Sequence, residues 1–180
     1  MIDVDLKYAY RLLGLGSVVM VSSYDENDVP NLMTCAWNCC LDFDPPKAIL
    51  VLGSGSKTRA NIEKTHELII NIPSNMQKDL VLAVGSKHGF DVDKFEENNI
   101  EAKKSKLVNA PVVDGCIGYL ECKVIDEPEM QKKYDIVMVE IVAAYADEQA
   151  FDGQKYTLNS ELTTIHHLAD DKLVATGNII

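Results

Sequence analysis

Three short stretches hold the residues best suited to chemistry. The first, Gly53-Ser54-Gly55-Ser56-Lys57-Thr58, combines small residues, hydroxyls and one ammonium group. Small residues let a ligand approach the main chain, and hydroxyls beside a lysine make a phosphate cradle. If a helix opens at Lys57, its free N–H groups add a positive end for an anion. The glycine spacing is not that of a Walker A loop. A solvent loop with a capping serine is the competing explanation of these six residues. The second stretch, Asn31-Leu32-Met33-Thr34-Cys35-Ala36-Trp37-Asn38, carries the only tryptophan, a hydroxyl and two amides. On a strand, Asn31, Met33, Cys35 and Trp37 share one face, and Leu32, Thr34, Ala36 and Asn38 the other. A core strand with polar ends is the alternative there. The third, Lys87-His88-Gly89-Phe90, reads as a loop whose His88 could line a hydride or substrate site or be merely solvated.

Other candidates for chemistry are weaker. Cys35, Cys39 and Cys40 lack CxxC spacing and have no histidine close by in sequence, so no metal site is expected and all three read as small buried hydrophobes. His166 and His167 are adjacent, so on a strand they would point to opposite faces. No paired-carboxylate dyad and no serine or cysteine nucleophile motif is visible.

The elements that must position these groups are mostly strands. Residues 17–23, 31–40, 48–52 and 68–72 read as the first four, the third buried on both faces or nearly so. A turn at residues 25–28 joins the first two as an antiparallel pair. A short helix over 57–64, capped by Ser56 and turning Ala60 and Ile62 inward, separates the third from the fourth. Residues 75–84 and 91–98 read as two more helices, the latter capped by Asp91. Strands return at 115–125 and 134–145, and residues 160–174 hold one or two short ones. Successive strands with inserted helices predict an antiparallel barrel or sandwich with peripheral helices, an α+β arrangement. No linker divides the 180 residues, so residues 1–180 are expected to form one domain. The net charge of −11 disfavours nucleic acid and anionic membranes as partners. Met1-Ile2-Asp3-Val4-Asp5 has neither the basic nor the apolar part of a signal peptide. A cytoplasmic protein with reduced cysteines is therefore expected.

In their order and spacing, these blocks resemble a known family. Asn31–Trp37 together with Asp44-Pro45-Pro46, Ser56-Lys57-Thr58-Arg59-Ala60-Asn61-Ile62 and Ile70-Asn71-Ile72-Pro73 is similar to the flavin reductase-like, FMN-binding split-barrel proteins, flavoredoxin types in particular. Asp91-Val92-Asp93-Lys94-Phe95, Ala110-Pro111 and Leu120-Glu121-Cys122 resemble later blocks of that family. The resemblance implies a six-stranded antiparallel split β-barrel and a homodimer with FMN near the subunit interface. It implies that Asn31, Met33, Thr34, Ala36 and Trp37 lie along the flavin, and that Ser54, Ser56, Lys57 and Thr58 bind its phosphate beside Asn61. Asn71, Lys94 and Phe95 would help close the site. It also implies that NAD(P)H delivers hydride to the flavin and that electrons pass on to an acceptor, such as a redox partner protein. A flavoredoxin-type carrier without NAD(P)H activity is the alternative, and a flavin-free scaffold or haem binder a third. Two blocks depart from the family: His66-Glu67 follows Thr65 where relatives carry Gly-Glu, and His88-Gly89-Phe90 stands where relatives carry Ser-Gly-Arg.

Overall fold

The computed structural model describes residues 16–157 and 161–177, so the N-terminal reading and Ser160 lie outside the described residues. Seven strands form one antiparallel sheet: β1 (Val19–Tyr24), β2 (Pro30–Cys35), β3 (Asn38–Phe43), β4 (Pro46–Val51), β5 (Glu67–Ile72), β8 (Gly118–Ile125) and β9 (Ile136–Ala146). Their order is β2-β1-β5-β8-β9-β4-β3. Short strands β6 (Ala102–Lys103) and β7 (Val112–Val113) pair with each other, as do β10 (Ile165–Ala169) and β11 (Lys172–Ala175). The helices are α1 (Lys57–Thr65), α2 (Lys78–Ser86), α3 (Lys94–Glu97) and α4 (Pro128–Tyr134). Among the described residues, no helix is long and apolar enough to cross a membrane.

The sheet curls onto itself because its strands alternate two apolar sets. Val19 and Val21 of β1 meet Cys35, Leu50, Leu68, Ile70, Cys122 and Val139 in one core. These residues come from both ends of the strand order, which is what a barrel interior requires. Val18 and Met20 face the other way and pack with Leu32 against Val81, Val84 and Phe95 of α2 and α3. Of the barrel or sandwich that the strand pattern allows, the structure is the barrel, the antiparallel split barrel with peripheral helices that the family resemblance implies.

Several local expectations need correction. Among the described residues the main sheet has seven strands, not six, because the segment read as one strand over 31–40 is two. The chain leaves β2 at Cys35, Trp37 accepts a main-chain bond from Val51, and β3 starts at Asn38 on the opposite end of the sheet. β4 alternates, with Ala48 and Leu50 buried and Ile49 and Val51 only half-buried. The third helix is capped by Asp93, whose carboxylate accepts from Phe95 and Glu96, and not by Asp91. A 3-10 turn capped by Ser74 precedes α2. Cys39 and Cys40 are exposed on β3; only Cys35, Cys116 and Cys122 are buried.

Candidate functional site

The junction between β4 and α1 builds the positive side of a cleft. Gly53 and Gly55 face open space. Ser56 caps α1, its Oγ accepting from the Arg59 N–H at 3.2 Å. At such a helix start the N–H groups of Lys57 and Thr58 have no intrahelical acceptor, and they remain available to an anion. Thr58 is buried and its hydroxyl accepts from Asn31 Nδ2 at 2.7 Å, which ties α1 to β2. Arg59 is also buried but turns away: it bonds Glu63 and the Leu52 carbonyl, and so backs the loop from behind.

Across the cleft stands Lys94, a lysine only 4% exposed. Its ammonium donates to the Val84 carbonyl at 2.6 Å, at the C-terminal end of α2. Among the described residues no carboxylate pairs with it, so two of its three donors are free. Burial pushes its pKa below the ordinary lysine value. The loop after α2 closes the rim. A Cβ at Gly89 would fall 2.2 Å from Asn31 Oδ1 and 3.0 Å from Lys57 Cβ, so only glycine lets the loop lie this close. Asn31, Met33, Thr34, Ser56, Lys57, Thr58, Lys87, His88 and Lys94 together line a cleft of about 160 Å³. That is below the ~300–1,000 Å³ of a whole cofactor site but ample for a phosphate.

A larger cavity of about 510 Å³ adjoins it through shared Thr34 and Gly85. Val18, Ala36, Val81, Leu82 and Leu173 give it apolar walls, and His167, Asp170 and Asp171 of the β10–β11 hairpin and its turn edge it. At Gly85 an added Cβ would come within 3.1 Å of Thr34, so this glycine sets the approach of α2 to β2. The two cavities form an elongated site, cationic at one end and apolar at the other.

The structure brings together Asn31, Met33, Thr34, Ser56, Lys57, Thr58, Lys94 and His88 at the cleft, with Ala36 in the cavity. It places the remaining candidates elsewhere. Trp37 is 57% exposed at the β2–β3 break and lines neither space. Ser54 is exposed and its N–H bonds Asp135 at 3.1 Å. Asn61 is buried under α1, donating to Ser23 Oγ. Asn71 is buried in β5, donating to Met20 and Ser22 and accepting from Val113. Phe95 belongs to the core beneath α2. Sequence reasoning gave no role to the hairpin: His167 edges the cavity, while His166 turns to the Thr164 and Thr176 hydroxyls. The adjacent histidines on a short strand were the available signal. Arg59 and Asp135, which hold the loop, carried none.

Known proteins resemble this chain over nearly its whole length. Residues 15–166 match the model of the flavin reductase like domain. The uncharacterized protein YddH of Escherichia coli is 32% identical, covering 98% of this chain and 95% of that protein. The solved FMN-binding domain of a flavin reductases-like enzyme from Shewanella baltica is 34% identical, with TM-score 0.87, covering 98% of this chain and 94% of that one. Flavoredoxin of Desulfovibrio vulgaris shares the fold, with TM-score 0.85 and 21% identity over 99% of this chain and 96% of its own.

Proposed function

The chain belongs to the flavin reductase like family, and we propose from that premise that it binds FMN and acts as an NAD(P)H-dependent flavin oxidoreductase. The observation that carries the reading is Lys94. A desolvated ammonium with free donors is unfavourable on its own, and an anion between it and the start of α1 would relieve that cost. Ser56, Lys57, Thr58 and Lys94 would hold the FMN phosphate. Thr34 and Gly85 mark the passage to the apolar cavity, where Ala36 and the β2 main chain would face the flavin ring. The walls from Val81, Leu82 and Leu173 would exclude water from it. Bound FMN would supply the redox chemistry.

A second copy of the chain fits the same reading. Among the described residues β3 pairs with β4 alone, and Leu41 and Phe43 on it and Trp37 just before it are exposed, Phe43 at 91%. An exposed apolar edge strand is the kind of surface that a homodimer covers. Five unpaired thiols suit the cytoplasm.

The test is turnover. Protein loaded with FMN should oxidise NADH or NADPH under steady state with an artificial electron acceptor. Tight FMN binding with no NADH or NADPH oxidation would instead assign the chain as a flavin electron carrier that receives electrons from a protein partner.

A further inference from the structure

We infer that the cavity at the end of β8 and β9 is a second small-molecule site, shaped for a planar aromatic molecule without negative charge. Its volume is about 480 Å³, within the ~300–1,000 Å³ of small-molecule sites. None of its described lining residues belongs to the phosphate cleft or to the apolar cavity beside that cleft, so the inference does not rest on the FMN reading. Two pairs of rings wall it. Tyr119 and Tyr145 stack with centroids 5.1 Å apart and planes 25° apart. Their hydroxyls are anchored: that of Tyr119 accepts from the Cys116 N–H, and that of Tyr145 donates to Glu121. Phe151 and Tyr156 meet edge to face, with centroids 5.3 Å apart.

A tight turn holds the second pair in place. Phe151 and Tyr156 form a bridge, and the Asp152 N–H donates to the Lys155 carbonyl. The Asp152 carboxylate accepts from the Gln154 and Lys155 N–H groups, and Gly153 takes φ +97°, a conformation that favours glycine. The Thr157 N–H returns to the carbonyl of buried Ala150, which ties the turn down after β9. Ala144 and Ala146 of β9 are exposed at the cavity wall, where small side chains leave the space open. Rings fixed in this way offer pre-organised flat faces to a third ring. Charge then selects among aromatic ligands. Among the described lining residues, Glu148 and Asp152 carry the only formal charges, both negative. Lys155 of the turn is exposed and outside the lining, as is Lys106, whose ammonium sits 4.0 Å from the Tyr145 ring centre. An anion would meet two carboxylates, whereas a cation would gain from the carboxylates and the ring faces alike.

Calorimetric titration with 2-naphthylmethylamine, 2-naphthalenemethanol and 2-naphthoate, with and without saturating FMN, tests the site. The amine should bind in the sub-millimolar range, the alcohol no more tightly, and the carboxylate at least about tenfold more weakly than the amine. Tyr156→Ala should weaken the amine about two- to tenfold, and Tyr156→Phe should keep its affinity. Ala144→Leu fills the space and removes no ring, so it should abolish binding with the melting temperature unchanged; should Tyr156→Ala unfold, this variant still decides. FMN should leave the affinity of the amine unaltered, and competition would assign the probe to the flavin site and overturn the inference. No binding by any of the three probes, equal affinity for amine and carboxylate, or binding that Ala144→Leu does not reduce would also overturn it. Failure of FMN itself to bind would remove the flavin reading and leave this inference standing.

Discussion

The site turns on individual ammonium and hydroxyl groups, and Lys94 is the most exposed to test. Its pKa is lowered by burial, so in the ligand-free protein the charged form destabilises the fold at neutral pH. Stability should then rise as pH climbs from its folded pKa toward the ordinary lysine value of about 10.4. A phosphate reverses the preference, so FMN affinity should fall across that window as the ammonium loses its proton. Replacing a charged hydrogen-bond donor worth about 1.5–3 kcal/mol predicts that Lys94→Met weakens FMN about tenfold or more. The ligand-free variant should melt no lower than the parent, and its FMN affinity should lose that alkaline limb. Thermal melts and titrations at several pH values check both. Lys57 and Thr58 were legible in the sequence because a serine-capped helix start has a recognisable composition. Lys94 was identified through resemblance alone, because its burial depends on α2 packing over α3. Asn61 and Asn71 look like ligands in the chain, but their amides are spent on Ser23, Ser22 and main-chain groups.

At the scale of elements, the cleft depends on how closely loops approach strands. Gly89→Ala would force a Cβ toward Asn31 Oδ1, so the loop must lift and Asn31 must release Thr58. The expected result is weaker FMN binding with a small change in melting temperature; unchanged binding would show that the loop does not shape the cleft. A second element device lies outside the site. Glu121 on β8 is fully buried, and burial alone would raise its pKa. The amides of Lys106, Leu107 and Val108 and the Tyr145 hydroxyl outweigh that and hold it low. A carboxyl lowered in this way stabilises fully above its unfolded value, near about 4.3, and the benefit is lost as pH falls through the folded pKa. Leaving buried donors unmatched costs about 1–3 kcal/mol, so Glu121→Gln should lose about that much at pH 7 in urea unfolding, the gap narrowing in acid. Most elements were readable from alternation and caps, α1 with its Ser56 cap above all. The β2–β3 break was not, since Asn31 to Cys40 is strand-like throughout and only barrel closure decides where the chain crosses. α4 and the β6–β7 pair were missed because they are short and polar or apolar without period.

For the whole molecule, the charge of −11 sets the problem that the site solves locally. An acidic protein repels an anionic cofactor at long range, so binding must come from the few cations of one cleft. The exposed β3 edge adds a second requirement. If two copies cover it, Phe43→Asp should shift the protein from dimer to monomer in light scattering after size exclusion, and a parent protein that is already monomeric would remove that role. The most direct test of the central claim is a paired titration of the unaltered protein with FMN and riboflavin. The account predicts micromolar or tighter FMN binding, with riboflavin at least about tenfold weaker because it lacks the charge-assisted phosphate contacts. Equal affinity for the two would contradict the phosphate cleft, and failure to bind FMN would contradict the function.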